Sequence, residues 1–188
     1  NGLVYVRGNK LDYDTWAQMG NTGWSYDDVL PFFKKIENYQ GEITELRSSK
    51  GPLKISEVVD RNPIYDALFK GAGEIGIPTN KDYNGDEQEG ISYTQTTIFK
   101  GERMSAEVAY LRPIRSRKNL TIITNSLVTK LLFDGKTCIG VKIKNKNKIK
   151  DFFAQNEVIL CGGAINSPQI LELSGIGNRS ILEAVSYT

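Results

Sequence analysis

The first half of the chain carries helical patterns of apolar and polar positions. Residues 12–19 predict a short helix that Gly20 ends, and Ser25 with Asp28 three positions later forms an acidic capping box for a second helix. Pro31 should kink or restart that helix. A third helix should begin at Asn62 and Pro63. Its apolar residues recur at helical spacing, and we expect them to be core. They are Tyr65, Leu68, Phe69, Ala72 and Ile75.

The second half changes to β patterns. Residues 91–99 alternate as in a strand with one covered face, and strand-length runs follow at 120–124, 128–133, 138–144 and 149–153. Asp134 and Gly135 signal a hairpin. Residues 157–161 form a nearly continuous apolar run, which is typical of a strand buried in a parallel sheet. Ser167 and Pro168 then predict the cap and the first residue of a helix.

Composition and charge narrow the class of protein. With 39% apolar and 24% charged residues, the chain has an ordinary soluble composition. Its net charge of +2 gives no strong field toward nucleic acid, and the alternating lysines of residues 142–150, without interleaved aromatic residues, indicate the solvent face of a hairpin. No apolar run approaches the roughly 20 residues of a membrane-spanning helix. We therefore expect neither a nucleic-acid partner nor a membrane span.

The segment with the strongest chemical signal is the glycine turn at Gly162 and Gly163, between the predicted strand and the predicted helix. A turn of this kind lets the backbone approach a ligand, and the amides at the start of a helix favour an anion such as a pyrophosphate. Many such turns only pack a helix on a sheet, so the turn by itself leaves both interpretations open. The chain contains no histidine, which removes the commonest general base and metal ligand.

The amino-acid sequences of several segments resemble those of one enzyme family. Residues 163–177 read GAINSPQILELSGIG and are similar throughout to the second signature of the glucose-methanol-choline oxidoreductases. The opening NGLVYVRG of residues 1–8, followed by DYDTWA, GWSY and LPFFKKIE, resembles the stretch after the first signature of that family. RMSA, YLRP and NLT between residues 103 and 121 match its middle region. The resemblance covers the whole chain and is nearest to the insect glucose-dehydrogenase-like branch.

The resemblance implies a mixed α/β fold. It predicts part of an FAD-binding Rossmann-like domain together with part of a substrate domain that contains an antiparallel sheet. Residues 1–50 would cover the cofactor, 51–115 would belong to the substrate domain, and 116–188 would supply strands and a helix of the FAD domain. The expected cofactor is FAD. The positions that match its contacts are Asn1, Gly2, Leu3 and Val4 near the flavin and ribityl end, Val128 at the adenine, and Gly162 and Gly163 at the close-packed turn. A β-branched strand residue would also suit position 128 without any ligand.

The resemblance also shows what the chain lacks. The phosphate-binding G-x-G-x-x-G of the family is absent, and its catalytic histidine lies beyond the position that matches Gly177. We therefore assign no catalytic residue and no metal ligand. We expect an internal fragment of an FAD-dependent dehydrogenase for alcohols or sugars, with quinone or oxygen as electron acceptor, and no activity from the isolated chain.

Two alternatives differ in class. A truncated, non-catalytic binding or structural product would also lack the histidine and the phosphate loop. A nicotinamide-dependent enzyme would need a complete glycine fingerprint after a strand, and the sequence has none. Glycosylation patterns at Asn119 and Asn178 favour secretion of the parent protein, although such triplets also arise by chance.

Overall fold

The computed structural model describes residues 2–58 and 60–185, which form two compact units. The N-terminal unit is Asn1–Leu120 and the C-terminal unit is Thr121–Thr188. Both contain helices and short strands, so the expected mixed α/β class is confirmed. Among the described residues, no helix is long and apolar enough to cross a bilayer.

The N-terminal unit combines helices with two small sheets. Its helices and strands are α1 (Lys10–Gln18), α2 (Tyr26–Ile36), β1 (Glu37–Tyr39), β2 (Leu53–Glu57), α3 (Pro63–Glu74), β3 (Gln95–Thr96), β4 (Ile98–Phe99) and β5 (Glu102–Arg103). In the first sheet, β1 is parallel to β2, and β2 is antiparallel to β3; β4 and β5 pair in a second, antiparallel sheet. A π-helical turn at Glu107–Leu111 and a 3₁₀ turn at Arg112–Ile114 follow.

Local capping signals set where these helices begin. The predicted capping box of α2 is confirmed, because Ser25 and Asp28 bond each other's backbone amides. Pro31 lies inside α2, which continues through it as one helix. The Asn62 side chain caps α3 and accepts from the amide of Ile64 at 3.0 Å.

The predicted core face of α3 is wrong for most of its residues. Only Ala72 is buried, while Leu68 and Ile75 remain 55% and 76% exposed. Phe69 stacks on the ring of Tyr93 at 4.8 Å between centroids. Helical periodicity identifies an apolar face, but burial also requires an element to cover it, and little of the described N-terminal unit does so.

The C-terminal unit is an antiparallel meander of β6 (Leu127–Asp134), β7 (Thr137–Asn145) and β8 (Lys148–Phe153), followed by α4 (Gly163–Leu173) and α5 (Arg179–Ala184). Leu131, Ile143 and Leu182 supply its buried core. The predicted hairpin is confirmed, with Gly135 at a φ of +56°. The side chains of Lys144, Lys146, Lys148 and Lys150 are exposed, as expected for a solvent-facing hairpin.

Three predicted elements differ in the structure. Residues 91–99 hold only the short strands β3 and β4, and residues 120–124 form no strand. Residues 157–161 also form no strand, and Ile159 is 74% exposed. A strand buried on both faces needs neighbouring strands, and within the described C-terminal unit β6, β7 and β8 pair only with one another.

Candidate functional site

The first predicted cofactor segment runs beside β3. The amide of Tyr5 donates to the carbonyl of Gln95, and the amide of Thr97 donates to the carbonyl of Leu3, both at 2.8 Å. Val4 forms a bridge with Thr96 between these two bonds. Gly2 is exposed and the Val4 side chain is half exposed. The segment therefore offers an accessible apolar outer side. Asn1, the fourth member of the predicted set, lies outside the described residues.

Leu3 has an unusual backbone conformation. Its φ is +64°, in the left-handed region where a residue with a side chain costs about 1–2 kcal/mol. The Leu3 carbonyl accepts a second hydrogen bond, from the Thr97 hydroxyl at 3.2 Å, which helps to hold this conformation. Strain of this kind persists where surrounding bonds determine the backbone, and it is concentrated at functional sites.

Behind this segment lies a cluster of buried charged and polar side chains. We call it the Arg47 network. Glu37 accepts from Arg7 Nη2 at 2.8 Å and from Arg47 Nε at 3.0 Å, and Arg47 also pairs with Asp82. Arg47 Nη2 donates to Gln95 Oε1 at 3.0 Å. The side chains of Glu37 and Arg47 are fully buried. The members are Arg7, Glu37, Arg47, Asp82, Asn84 and Gln95.

The network pairs its two arginines with two carboxylates, and among its buried nitrogens Arg7 Nε has no hydrogen-bond partner in the described part of the chain. Burial would by itself lower the pKa of Arg47, but hydrogen bonds and charges from Glu37 and Asp82 outweigh it and raise that pKa. The Arg47 guanidinium lies 3.7 Å from the ring centroid of Tyr39. Burial, followed by the charges of Glu57 and Asp82, raises the pKa of Tyr39. These tyrosine and arginine side chains therefore keep their ordinary charge states and anchor the segment structurally.

Sequence reasoning missed the Arg47 network. Its partners are far apart along the chain, with 30 positions between Arg7 and Glu37 and 48 between Arg47 and Gln95. The only available signal was Arg7, which belongs to the opening NGLVYVRG segment that resembles the family. Arg7 is buried and bonded to Glu37, and it thereby anchors the residues of the segment that precede it.

The second predicted segment is the turn before α4. Gly162 is the N-cap of the helix, and no side chain caps it. Gly163 has a φ of +82°, and a Cβ built there would meet no atom within 4 Å. The helix begins here rather than at Pro168, because the glycine pair adopts the turn itself and Pro168 is accommodated inside α4. The first amides of such a helix have no intrahelical acceptor. Open backbone and uncapped amides fit an anionic group of a dinucleotide such as FAD.

The third predicted position, Val128, lies on β6. It pairs with Ile143 of β7 and is half-buried, and a β-bulge follows it between Val128 and Lys130. Helix α4 packs against this strand within the same unit. The C-terminal unit therefore contains Val128, Gly162 and Gly163 together, and the N-terminal unit contains Gly2, Leu3 and Val4.

Comparison with known proteins places these features in a family. The GMC oxidoreductase family model matches residues 1–185. The chain is 40% identical over 183 residues to human mitochondrial choline dehydrogenase, covering 97% of this chain and 31% of that protein. It is 42% identical over 183 residues to the oxygen-dependent choline dehydrogenase of Brucella anthropi, covering 97% of this chain and 33% of the relative. The chain thus spans about a third of the length of these relatives.

Solved structures give the same result. An FAD-dependent oxidoreductase from Chaetomium thermophilum matches with a TM-score of 0.90 and 32% identity, over 99% of this chain and 35% of that one. Pyridoxine 4-oxidase from Mesorbium loti matches with a TM-score of 0.89 and 31% identity, over 99% and 37%. These findings confirm the expected FAD cofactor. They do not show the insect glucose-dehydrogenase-like branch. The chain belongs to the glucose-methanol-choline (GMC) oxidoreductase family.

Proposed function

We propose that this chain is the part of an FAD-dependent alcohol oxidoreductase that holds the cofactor, and that the complete protein oxidises a CH–OH group of a small alcohol. The observation that carries the proposal is the family match over residues 1–185, which includes the open glycine turn before the uncapped start of α4. The names of the similar proteins favour an alcohol such as choline over a sugar.

The residues proposed to hold FAD fall into two sets. Gly162 and Gly163 would let the cofactor approach the protein backbone closely, and the uncapped amides of α4 would face one of its anionic groups. Val128 would contribute strand backbone beside them. In the N-terminal unit, Gly2, Leu3 and Val4 would meet the cofactor with their accessible side, as would Asn1 by its place in the motif. When bound, FAD supplies the hydride acceptor that alcohol oxidation needs.

The chemistry of this chain alone is incomplete. Removing the hydroxyl proton of an alcohol needs a general base, and this chain has no histidine. We therefore propose that the base is supplied by a longer protein that contains this sequence. The alternative, a non-catalytic binding or structural product, also agrees with the absence of histidine.

A dye-reduction assay separates these possibilities. The isolated chain with excess FAD should reduce no dye with choline or glucose beyond a heat-inactivated control. A full-length protein that carries the chain should reduce dye with choline. Turnover by the isolated chain would contradict the absence of a base from this chain, and a full-length protein that is inactive with both choline and glucose would favour the non-catalytic product.

The same assay addresses the finer predictions. A full-length protein that prefers glucose over choline would restore the glucose-dehydrogenase-like prediction. Oxygen uptake in the absence of dye would identify oxygen as the electron acceptor, and turnover that needs a quinone would identify the other predicted acceptor.

We also propose that the parent protein is secreted, on the basis of the glycosylation patterns at Asn119 and Asn178. Both side chains are exposed. The Asn178 side chain also caps α5, because its oxygen accepts from the amide of Ser180 at 3.0 Å. This cap does not use the side-chain nitrogen, which is the atom that glycosylation modifies. Expression in a secretory host, followed by treatment with a glycan-removing enzyme, should reduce the apparent mass; an unchanged mass would contradict glycosylation.

A further inference from the structure

Helix α4 carries two serine hydroxyls that bond to groups at its two ends. Ser167 Oγ accepts from the amide of Gly162 at 3.0 Å. Ser174 Oγ accepts from the amide of Leu131 at 2.8 Å and donates to the carbonyl of Ile170 at 2.6 Å. The Ser167 bond connects the glycine turn to the helix, and the bond between Ser174 and Leu131 connects the helix to the sheet.

The Ser174 bond is a tertiary link. Leu131 lies 43 positions earlier in the chain, in the middle of β6, and its side chain is 5% exposed. Within the described meander, β6 pairs with β7 on one side only, so amides on its other edge need a partner from elsewhere. Ser174 is the C-cap residue of α4, and its hydroxyl supplies that partner. The C-terminal end of α4 is thereby fixed on β6.

The Ser167 bond sets the turn at the other end of the helix. It holds the amide of Gly162 against the second turn of α4, directly before Gly163 with its φ of +82°. The contact is close, since a Cβ added to Gly162 would lie 3.1 Å from the backbone nitrogen of Ser167. The glycine turn is therefore bonded directly to the second turn of the helix.

We propose that Ser167 and Ser174 are positioning residues for FAD. Together they hold the turn at Gly162 and Gly163 in a fixed place relative to β6, and hence relative to Val128. The inference rests on the proposed cofactor-binding function of these residues. A helix of 11 residues is about 16 Å long, so release of its C-terminal end lets the opposite end, which bears the turn, shift by tilting.

The inference is tested on the 188-residue chain by two measurements on the same variants. Amide hydrogen exchange at Leu131 and Gly162 reports the two bonds, and titration with FAD reports the affinity. Ser174→Ala should increase exchange at Leu131 and weaken FAD binding roughly 3- to 10-fold, the range expected for loss of a hydrogen bond. Ser174→Thr keeps the hydroxyl and should restore both values. Ser167→Ala should increase exchange at Gly162 and weaken FAD binding to a similar extent.

Two controls separate positioning from general stability. Ser180→Ala removes an exposed hydroxyl that donates only to the neighbouring Asn178 side chain, and it should change neither measurement. Leu182→Val loosens the buried packing of α5 without removing a hydroxyl of α4, so it should lower stability and leave the FAD affinity unchanged.

Unchanged exchange at Leu131 in Ser174→Ala would overturn the proposed link between helix and sheet. Faster exchange with unchanged FAD affinity, or equal weakening by Leu182→Val, would reduce Ser174 to a structural role and overturn the positioning claim. A wild-type chain that binds no FAD at any concentration would contradict the proposed function and the positioning role together. The exchange data would still decide whether the two hydrogen bonds exist.

Discussion

The two units hold their candidate cofactor residues by different means. In the N-terminal unit, the segment with Gly2, Leu3 and Val4 is bonded to β3 and anchored through the buried Arg47 network. In the C-terminal unit, the turn at Gly162 and Gly163 depends on neutral hydroxyl bonds, and the nearby Ile159 and Ile165 are 74% and 81% exposed. Buried charge pairs are costly to break, whereas a single neutral hydrogen bond contributes about 1 kcal/mol. The first segment should therefore be the harder of the two to displace.

The largest effect is expected from Arg47→Ala. It removes the cation that pairs with Asp82 and leaves Glu37 with Arg7 as its one remaining buried cation, which should lower the free energy of unfolding of the N-terminal unit by about 3–5 kcal/mol. Both tryptophans, Trp16 and Trp24, lie in this unit, so urea unfolding followed by tryptophan fluorescence measures it selectively.

The control for Arg47 is Arg179→Ala in the C-terminal unit. Arg179 pairs with Glu183 at 2.7 Å, but its side chain is 90% exposed, so the change should cost less than about 1 kcal/mol. A loss below 1 kcal/mol for Arg47→Ala would contradict the anchoring role of the network.

The second largest effect is expected from alkaline pH, which should lower the free energy of unfolding of the N-terminal unit. Burial raises the pKa values of Tyr5, Tyr39 and Tyr83, so the folded state binds their protons more tightly than the unfolded state does. This stabilisation is complete below the unfolded tyrosine pKa of about 10 and is lost as the pH rises through the folded values.

Urea unfolding at a series of pH values, together with phenolate absorbance, measures this dependence. The urea concentration at half unfolding should decrease as the pH rises above about 10, and Tyr39→Phe should make this decrease shallower. A midpoint that stays constant while the phenolates form would show that these tyrosines ionise freely in the folded state.

A smaller effect is expected at the glycine turn. Gly163→Ala places a side chain at a φ of +82° and should destabilise the C-terminal unit by about 1 kcal/mol, measured by amide exchange in β6 and β7. Gly163→Leu should have similar stability, because a Cβ there meets no atom within 4 Å, but it should bind FAD more weakly by blocking the approach to the backbone.

The matched control is Gly71→Ala, which lies inside α3 and also has free space around a new Cβ. It should stabilise its helix by about 0.5–1 kcal/mol. Equal FAD affinities of Gly163→Ala and Gly163→Leu would indicate that the cofactor does not approach this turn.

The smallest effect is expected from Lys146→Ala in the turn between β7 and β8. The side chain is exposed, and alanine meets the same left-handed φ of +51° that lysine does. Stability should change by less than about 0.5 kcal/mol, and FAD affinity should be unchanged. A weaker affinity would place ligand contacts on the lysine-rich hairpin.

The sequence predicted those features that depend on residues close together in the chain. The capping box at Ser25 and Asp28 joins residues three positions apart, and the hairpin at Gly135 depends on one turn. The glycine turn was also predictable, since Gly163 adopts the positive φ that glycine permits.

The features that sequence reasoning missed depend on distant neighbours. Nothing local identifies Glu37, Arg47 and Asp82 as partners, and nothing in the residue type of Leu3 predicts its left-handed backbone. The apolar run at residues 157–161 and the apolar face of α3 were predicted to be buried from hydrophobicity alone. Burial depends on a covering surface, which a periodic pattern cannot supply.

We propose that Gly2, Leu3, Val4, Val128, Gly162 and Gly163 meet FAD. Backbone amide resonances of the 188-residue chain, recorded during titration with FAD, will show whether they do. We expect weak binding, micromolar or weaker because the phosphate-binding loop is absent, with the largest shifts at those six residues and at the first amides of α4. Shifts confined to other residues, or no shifts at millimolar FAD, would contradict the account.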